Sequence, residues 1–111
     1  MRDNGFETEM VEVEADRLQP VARLKGEGGG GLLIYNGPMD TDIIYLGLKD
    51  PLTPRIKRRR LYGHGSCNLK GGVAAMVEAA IAIKKSGIKL KGDLIVTSVV
   101  GEFQGGVSTI N

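Results

Sequence analysis

The sequence is poor in cysteine and in aromatic residues, and it has no long hydrophobic segment. Its single cysteine, Cys67, excludes an internal disulfide and fits a reducing compartment. No apolar run approaches the roughly 20 residues that span a bilayer. The N-terminal residues contain no hydrophobic signal core. We therefore expect a cytoplasmic protein that does not enter a membrane.

The net charge of the chain is also small. The net charge of +2 is too small to indicate a nucleic acid or a membrane surface as a partner. The densest basic run, residues 55–60, has only Tyr62 close by as a stacking aromatic, which favours a solvated turn over a nucleic-acid site. At 111 residues the chain forms one domain at most, residues 1–111.

Alternating side chains in the first third of the chain predict short strands. The predicted strands are residues 10–14, 21–25 and 32–36. A turn is predicted over residues 16–20, and the glycine-rich residues 26–31 are predicted to be a flexible connection. The spacing indicates a hairpin whose second arm, residues 32–36, enters the sheet interior.

The second half of the chain predicts a glycine-rich loop, a helix and a buried strand. Glycines at positions 63, 65, 71 and 72 permit backbone angles that side chains forbid. A helix is predicted to start at Val73 and to end at the capping Gly87, with two lysines in its last turn. The β-branched residues 94–100 predict a buried strand. Residues 42–54 are predicted to be a loop, followed by a short hairpin around residues 58–60.

These elements predict an α/β fold, with a mixed or mostly parallel sheet and a helix packed on it. Three loops follow strand ends or precede the helix: residues 37–41, 63–72 and 101–106. Open α/β sheets bind ligands at the carboxyl ends of their strands. We expect the three loops to converge on one rim of the sheet.

Residues 61–72 read Leu-Tyr-Gly-His-Gly-Ser-Cys-Asn-Leu-Lys-Gly-Gly. This segment resembles the signature of the acetylornithine deacetylase, succinyl-diaminopimelate desuccinylase and aminoacylase family of two-zinc metallopeptidases and amidohydrolases. The resemblance covers about residues 11–111 and implies part of a zinc-peptidase catalytic domain. It also implies hydrolysis of an amide bond in an N-acyl amino acid or a short peptide, by the two-metal chemistry of that family.

The resemblance also assigns the metal ligands, and this sequence departs from them. A His in the first loop, a bridging Asp in the second and a Glu in the third bind zinc in the family. Here those positions hold Pro38, Asn68 and Phe103. Proline and phenylalanine offer no lone pair, and an asparagine amide oxygen carries no charge. We therefore expect no metal or other cofactor in this chain.

Two candidate catalytic residues survive the comparison with the family pattern. The resemblance makes Asp40 the residue that holds the ligand imidazole and Glu102 the general base. Without a metal beside them, Asp40 fits a turn-capping role and Glu102 a solvated loop carboxylate. We therefore expect a chain that is inactive alone.

Two further side chains in the glycine-rich loop allow more than one interpretation. His64 fits a surface or loop histidine; the alternative is a metal site formed with Asp40 and Glu102. Cys67 is predicted to be a small buried residue rather than a nucleophile activated by His64. The resemblance implies a cis peptide bond at Asn68–Leu69, and a trans bond is the competing prediction.

Three accounts of the function remain open. The chain is a fragmentary or degraded family member, a pseudoenzyme or protein-interaction module on the same scaffold, or a hydrolase that borrows ligands from another chain. A central strand with only one helix to cover it leaves apolar surface exposed. We therefore expect a homo-oligomer, or a second polypeptide that completes the domain.

Overall fold

The computed structural model describes residues 1–44, 47 and 49–104. Within them a mixed four-stranded sheet carries one α-helix, and a separate two-stranded hairpin precedes that helix in the sequence. The predicted α/β fold is confirmed. The elements are β1 (Glu7–Glu14), β2 (Arg17–Leu24), β3 (Leu33–Pro38), β4 (Arg55–Lys57), β5 (Arg60–Tyr62), α1 (Gly71–Ser86) and β6 (Leu94–Val99), with short 3-10 turns at Arg2–Asn4 and Glu102–Gln104.

The sheet has the strand order β1-β2-β6-β3. β1 and β2 form an antiparallel hairpin, β2 runs antiparallel to β6, and β3 runs parallel to β6. Both neighbours of β6 pair with Leu94, which is only 1% exposed. The prediction that the last strand is central is therefore confirmed. The prediction that residues 32–36 form the second arm of a hairpin inside the sheet is wrong, because β6 lies between β2 and β3, and no second strand among the described residues pairs with β3.

The glycine-rich connection between β2 and β3 is held in place rather than free. Its backbone crosses residues 90–93, where Glu27 N–H donates to the carbonyl of Leu90 and Gly28 N–H to that of Lys91, both at 2.8 Å. The crossing is so close that a Cβ built on Gly92 lies 1.8 Å from the carbonyl oxygen of Gly31. The prediction of a flexible connection is therefore wrong.

The core lies between α1 and the face of the sheet on which α1 packs. Its buried members are Phe6, Ala22, Leu24, Ala80, Ile81, Leu94 and Val96. The helix also approaches β3 closely, since a Cβ on the buried Gly37 would lie 2.5 Å from Met76 Cε. α1 ends as predicted at Gly87, whose left-handed φ of 75° places its N–H on the carbonyl of Lys84.

Two local predictions have different outcomes. The predicted turn over residues 16–20 is too long, because β2 already begins at Arg17 and includes Pro20. β6 pairs with β2 only from Val21 onwards, so Pro20 lies where one side of the strand has no partner strand, a position that tolerates a missing N–H.

The short basic hairpin is confirmed as β4 and β5, with Arg58 and Arg59 at positive φ in the turn.

Within the part of the chain that the structure describes, one segment, Ser66–Ser86, has the length and the apolar composition of a membrane span. Its first five residues form a wide turn with non-helical backbone angles at Asn68 and Leu69, and α1 itself has 16 residues. That is short of the roughly 20 residues that cross a bilayer. Ala80 and Ile81 are buried in the core described above, so α1 is a sheet-packing helix.

We predict that Gly92→Ala destabilises the fold by about 1–3 kcal/mol or more, because the new methyl group overlaps the Gly31 carbonyl and the backbone must shift. Urea unfolding followed by circular dichroism measures the loss. Gly31→Ala is the matched control: it lies in the same crossing, but a Cβ there meets nothing within 4 Å. Equal stability of the two variants would show that the crossing is not close-packed in solution.

Asp93 joins three segments just before β6. Its carboxylate accepts hydrogen bonds from Gly26 N–H at 2.8 Å and from Arg23 Nε at 2.9 Å, and it forms an ion pair with the same guanidinium. The hydrogen bond from Gly26 N–H is the largest cause that lowers the pKa of Asp93 below its ordinary value, and the hydrogen bond from Arg23 is the second. Asp93 therefore stabilises the folded chain in its charged form.

The lowered pKa of Asp93 predicts a pH dependence of stability. A carboxylate whose pKa is lower in the folded than in the unfolded chain stabilises the fold above its unfolded value of about 3.9, and this contribution is lost as the pH falls through the folded value. We expect the urea midpoint of the wild type to fall on acidification through this window. Asp93→Asn should be less stable at neutral pH and should lose less on acidification. Parallel curves for the two proteins would contradict the assignment.

Candidate functional site

The three loops predicted to share a rim do meet at the C-terminal ends of β3 and β6. Asp40 Oδ2 accepts a hydrogen bond from Gly101 N–H at 3.0 Å, which joins the first loop to the third. Lys70 Nζ donates to the carbonyl of Met39 at 2.7 Å, which joins the second loop to the first. The convergence is therefore confirmed as far as residue 104; residues 105 and 106 of the predicted third loop lie outside the described residues.

The two carboxylate oxygens of Asp40 have different surroundings in this rim. Besides the bond from Gly101 to Oδ2, its second oxygen, Oδ1, is buried and accepts no hydrogen bond within the described part of the chain. A buried acceptor without a donor is costly, because it has lost its water without replacement. Asp40 thus holds two loops together and presents a vacant acceptor. Its predicted catalytic role stays a prediction.

The three substituted ligand positions lie on separate elements around the rim. Pro38 is the half-buried last residue of β3, beside Val99 of β6. Asn68 is exposed in the wide turn, and its peptide bond to Leu69 is cis, as the resemblance implies, so the trans alternative is wrong. Phe103 is 44% exposed in the 3-10 turn Glu102–Gln104.

The donor set on this rim does not fit a zinc ion. Among residues 1–44, 47 and 49–104, no group of three or more His, Cys, Asp or Glu side chains lies close enough to hold a metal. His64, Asp40 and Glu102 are therefore not brought together, and the alternative metal site formed by them is wrong. Glu102 is exposed at the start of the 3-10 turn. Its predicted role as a general base stays a prediction.

His64 is fixed by two hydrogen bonds in the second loop. Its backbone N–H donates to the carbonyl of Pro51 at 2.8 Å, and its ring Nε2 donates to the carbonyl of Asp42 at 2.7 Å. The second bond requires the proton on Nε2, which leaves Nδ1 unprotonated in the neutral ring. The prediction of a surface or loop histidine is therefore confirmed: His64 is half-buried and anchors its loop.

Cys67 lies three residues further along and is an exposed free thiol. The prediction that it is a small buried residue is wrong, because the wide turn projects it away from the core. Ser66, its neighbour, donates its hydroxyl proton to the carbonyl of Gly63 at 2.7 Å and closes the loop from within.

An open cleft of about 460 Å³ lies beside the second loop. Asn68 and His64 line it, together with Arg55 at the base of the β4–β5 hairpin and with Lys49 and Asp50 from the preceding loop. Charges of both signs therefore face the cleft. Sequence reasoning assigned no role to Lys49 or Asp50, because only the fold brings residues 49–55 against the glycine-rich loop.

Sequence reasoning also missed the bridging role of Lys70. The residue stands in the Lys-Gly-Gly end of the signature segment, which was the one signal that could have indicated a function. Its ammonium group reaches back across the rim to Met39, and its own backbone N–H closes the wide turn onto Gly65 at 2.9 Å. Lys70 therefore fixes both the shape of the second loop and its distance from the first.

Comparison with known proteins identifies the family to which this chain belongs. Residues 38–109 match the model of peptidase family M20/M25/M40. The chain belongs to this family. The matched segment contains the second loop and the ends of β3 and β6, which together form the rim.

Curated relatives agree with the family assignment. The chain is 32% identical over 115 residues to N-formyl-4-amino-5-aminomethyl-2-methylpyrimidine deformylase of Bacillus subtilis (strain 168), an alignment that covers 99% of this chain and 27% of the relative. It is 40% identical over 80 residues to acetylornithine deacetylase of Vibrio parahaemolyticus, covering 70% of this chain and 21% of the relative. The chain thus spans about a quarter of the length of these enzymes.

A solved structure gives the same fold. The crystal structure of human carnosine dipeptidase 1 superposes with a TM-score of 0.72 over 95% of this chain and 24% of the dipeptidase chain. The sequences are 21% identical over this alignment, so the likeness shows the fold alone. The fold is therefore that of part of an M20 peptidase catalytic domain.

We predict that Asp40→Ala lowers the free energy of unfolding by about 1–3 kcal/mol, because Gly101 N–H loses its acceptor and the first and third loops separate. Urea unfolding at neutral pH measures the change. Asp40→Asn keeps an acceptor oxygen for Gly101 and should lose less. If the alanine variant is as stable as the wild type, the bond between the two loops does not form in solution.

Proposed function

We propose that this chain is an amidohydrolase scaffold of the M20 type without a working metal centre, and that it does not hydrolyse amide bonds by itself. The names of its relatives support amide hydrolysis as the chemistry of the ancestral site. One is a deformylase, a second is a deacetylase, and succinyl-diaminopimelate desuccinylase of Parvibaculum lavamentivorans is 31% identical to this chain over 98 residues. By analogy, the ancestral substrate is an N-acyl compound.

The single observation that carries this proposal is the vacant acceptor on Asp40. In the resembling family this carboxylate holds the imidazole of the His that stands two residues earlier. Here that position is Pro38, which has no proton to donate, and Asp40 Oδ1 is left buried without a donor. A buried oxygen of this kind is what remains when a site loses its histidine and keeps the residue that oriented it.

The other two loops support the same conclusion. Asn68 and Phe103 supply neither a carboxylate nor an imidazole, and no candidate metal cluster lies among the described residues. Glu102 keeps the general-base position but has no such cluster beside it.

The single thiol, Cys67, is free and exposed, which supports the reducing cytoplasm as the location of the protein.

Restoring the ligands tests the proposal. The triple variant Pro38→His, Asn68→Asp and Phe103→Glu should gain tightly held zinc, because it returns an imidazole and two carboxylates to a rim whose loops already converge. The wild type should hold close to none. Elemental analysis after dialysis against trace zinc measures both, and an N-acetyl or N-formyl amine substrate tests activity in parallel.

A matched control separates ligand chemistry from side-chain size. Pro38→Gln with Phe103→Gln, and Asn68 retained, places neutral amides of similar size at the same positions and should bind no more zinc than the wild type. Stoichiometric zinc on the wild-type chain, or hydrolysis by it, would overturn the proposal.

A protein-interaction module is the second candidate function, and one observation favours it. Large apolar side chains lie exposed on the strand that ends at the rim; Leu33 and Ile34 of β3 are 52% and 51% exposed. Exposed apolar surface of this kind marks contact sites between proteins. The partner is a second copy of this chain or a second polypeptide that completes the domain, rather than nucleic acid or a membrane.

A further inference from the structure

Positive charge is concentrated on the β4–β5 hairpin. Of the 15 Lys and Arg residues of the chain, five lie within residues 55–60, which contain no acidic residue: Arg55, Lys57, Arg58, Arg59 and Arg60. The other ten are outnumbered by 13 Asp and Glu residues, so the rest of the chain has a net charge of −3. The small net charge of the whole chain therefore conceals a strongly cationic hairpin on an acidic body.

The charges of the hairpin are not neutralised by the part of the chain that the structure describes. All five side chains are exposed, and none of them forms an ion pair with a described residue. Asp50 lines the same cleft as Arg55, but these two side chains form no ion pair either. Like charges this close repel one another, because they lie within the Debye length of about 10 Å. A partner that brings carboxylates to the hairpin relieves this repulsion.

The turn of the hairpin consists of residues that do not suit its backbone. Lys57 lies opposite Arg60, so β4 and β5 are joined by a two-residue loop. The two loop residues, Arg58 and Arg59, both have positive φ, at 49° and 62°. Loops of this kind favour Asn-Gly or Asp-Gly, because most side chains are strained at positive φ. Strained backbone clusters at functional sites, and here the strained residues are the two that carry charge to the tip.

One face of the hairpin presents its cations at the repeat of an extended chain. Arg55 and Lys57 lie two residues apart on β4, and Arg60 lies opposite Lys57, so the three side chains share a face. Neighbours two apart on a strand are separated by about 7 Å, and opposite side chains by about 5 Å. An extended peptide with a carboxylate at every second residue has the same repeat, so its carboxylates can meet these cations in turn.

The same face is a poor platform for nucleic-acid bases. Single-stranded nucleic acids are bound by several aromatic side chains on which successive bases stack. Tyr62, opposite Arg55, is the only aromatic residue of β4 and β5. The cations therefore fit a ligand whose recognition needs charge and spacing rather than stacking.

We propose that the β4–β5 hairpin binds an extended acidic segment of another protein, in which Asp or Glu occupies every second position. The carboxylates of this segment lie along Arg55 and Lys57, with Arg60 beside them, and the arginines of the turn prolong the contact. This surface is separate from β3, on which the second candidate function rests. It also requires no particular state of the rim, so zinc binding or hydrolysis by the wild type would leave this proposal standing.

Fluorescence anisotropy with a labelled peptide in which Glu alternates with Thr tests the binding. The 111-residue chain should bind this peptide at low ionic strength and release it as salt is added, because exposed charges are screened. A peptide in which Gln alternates with Thr should not bind. A peptide of the same composition with its Glu residues in one block should bind more weakly, since successive carboxylates of an extended chain lie on opposite faces.

A double variant of the turn separates binding from folding. Arg58→Asn with Arg59→Gly should raise the dissociation constant about tenfold or more, because it removes two charges from the contact. The hairpin should fold at least as well as in the wild type, because Asn-Gly suits the turn. Lys25→Gln with Lys85→Gln is the matched control: it removes two exposed charges outside the hairpin and should leave binding nearly unchanged. Lys57→Gln, on the strand itself, decides if the double variant does not fold by circular dichroism.

Four outcomes would overturn the proposal. One is a failure of the alternating acidic peptide to bind at low salt, and another is equally tight binding of the block peptide. A third is a folded turn variant that binds as the wild type does. The fourth is tighter binding of a single-stranded DNA oligonucleotide or of phosphatidylserine vesicles, which would make the hairpin a nucleic-acid or membrane contact instead.

Discussion

The pairing of β6 on both sides is the constraint on which the rest of this structure depends. Leu94 is in register with Leu24 of β2 and with Leu33 of β3, and it is almost completely buried under α1. The glycine-rich connection must therefore cross the chain just before β6, which is why backbone atoms of Gly92 and Gly31 approach so closely. The same strand ends beside Pro38, so the position of the rim follows from the position of β6.

Two hydrogen bonds from or to charged side chains join the loops of the rim. Asp40 binds the main chain of the third loop, and Lys70 binds the main chain of the first, so each loop is fixed to a neighbour by a charged side chain and a backbone partner. Hydrogen bonds to charged groups are stronger than those between neutral groups. These two bonds therefore fix the positions of all three loops relative to one another.

Sequence reasoning predicted elements better than it predicted their neighbours. Side-chain alternation and β-branched residues located the strands, and Gly87 located the end of α1, because these signals are local. The order of the strands, the exposure of Cys67 and the hydrogen bond between His64 and Pro51 depend on residues far apart in sequence. The site was predicted in part: the positions of the strand ends predicted which loops form the rim, but only the structure showed the buried acceptor on Asp40 that has no donor among the described residues.

The error about β3 is informative in itself. Its apolar residues read as a strand inside a sheet, yet Leu33 and Ile34 are half exposed at an edge. An apolar composition is typical of a strand that is covered on both faces and paired on both sides. The peptide groups of Ile34 and Asn36, however, have no strand partner among the described residues. A run of apolar residues predicts a strand, but by itself it does not distinguish an edge strand from a central one, because its neighbours in the sheet are set by residues far away in the sequence.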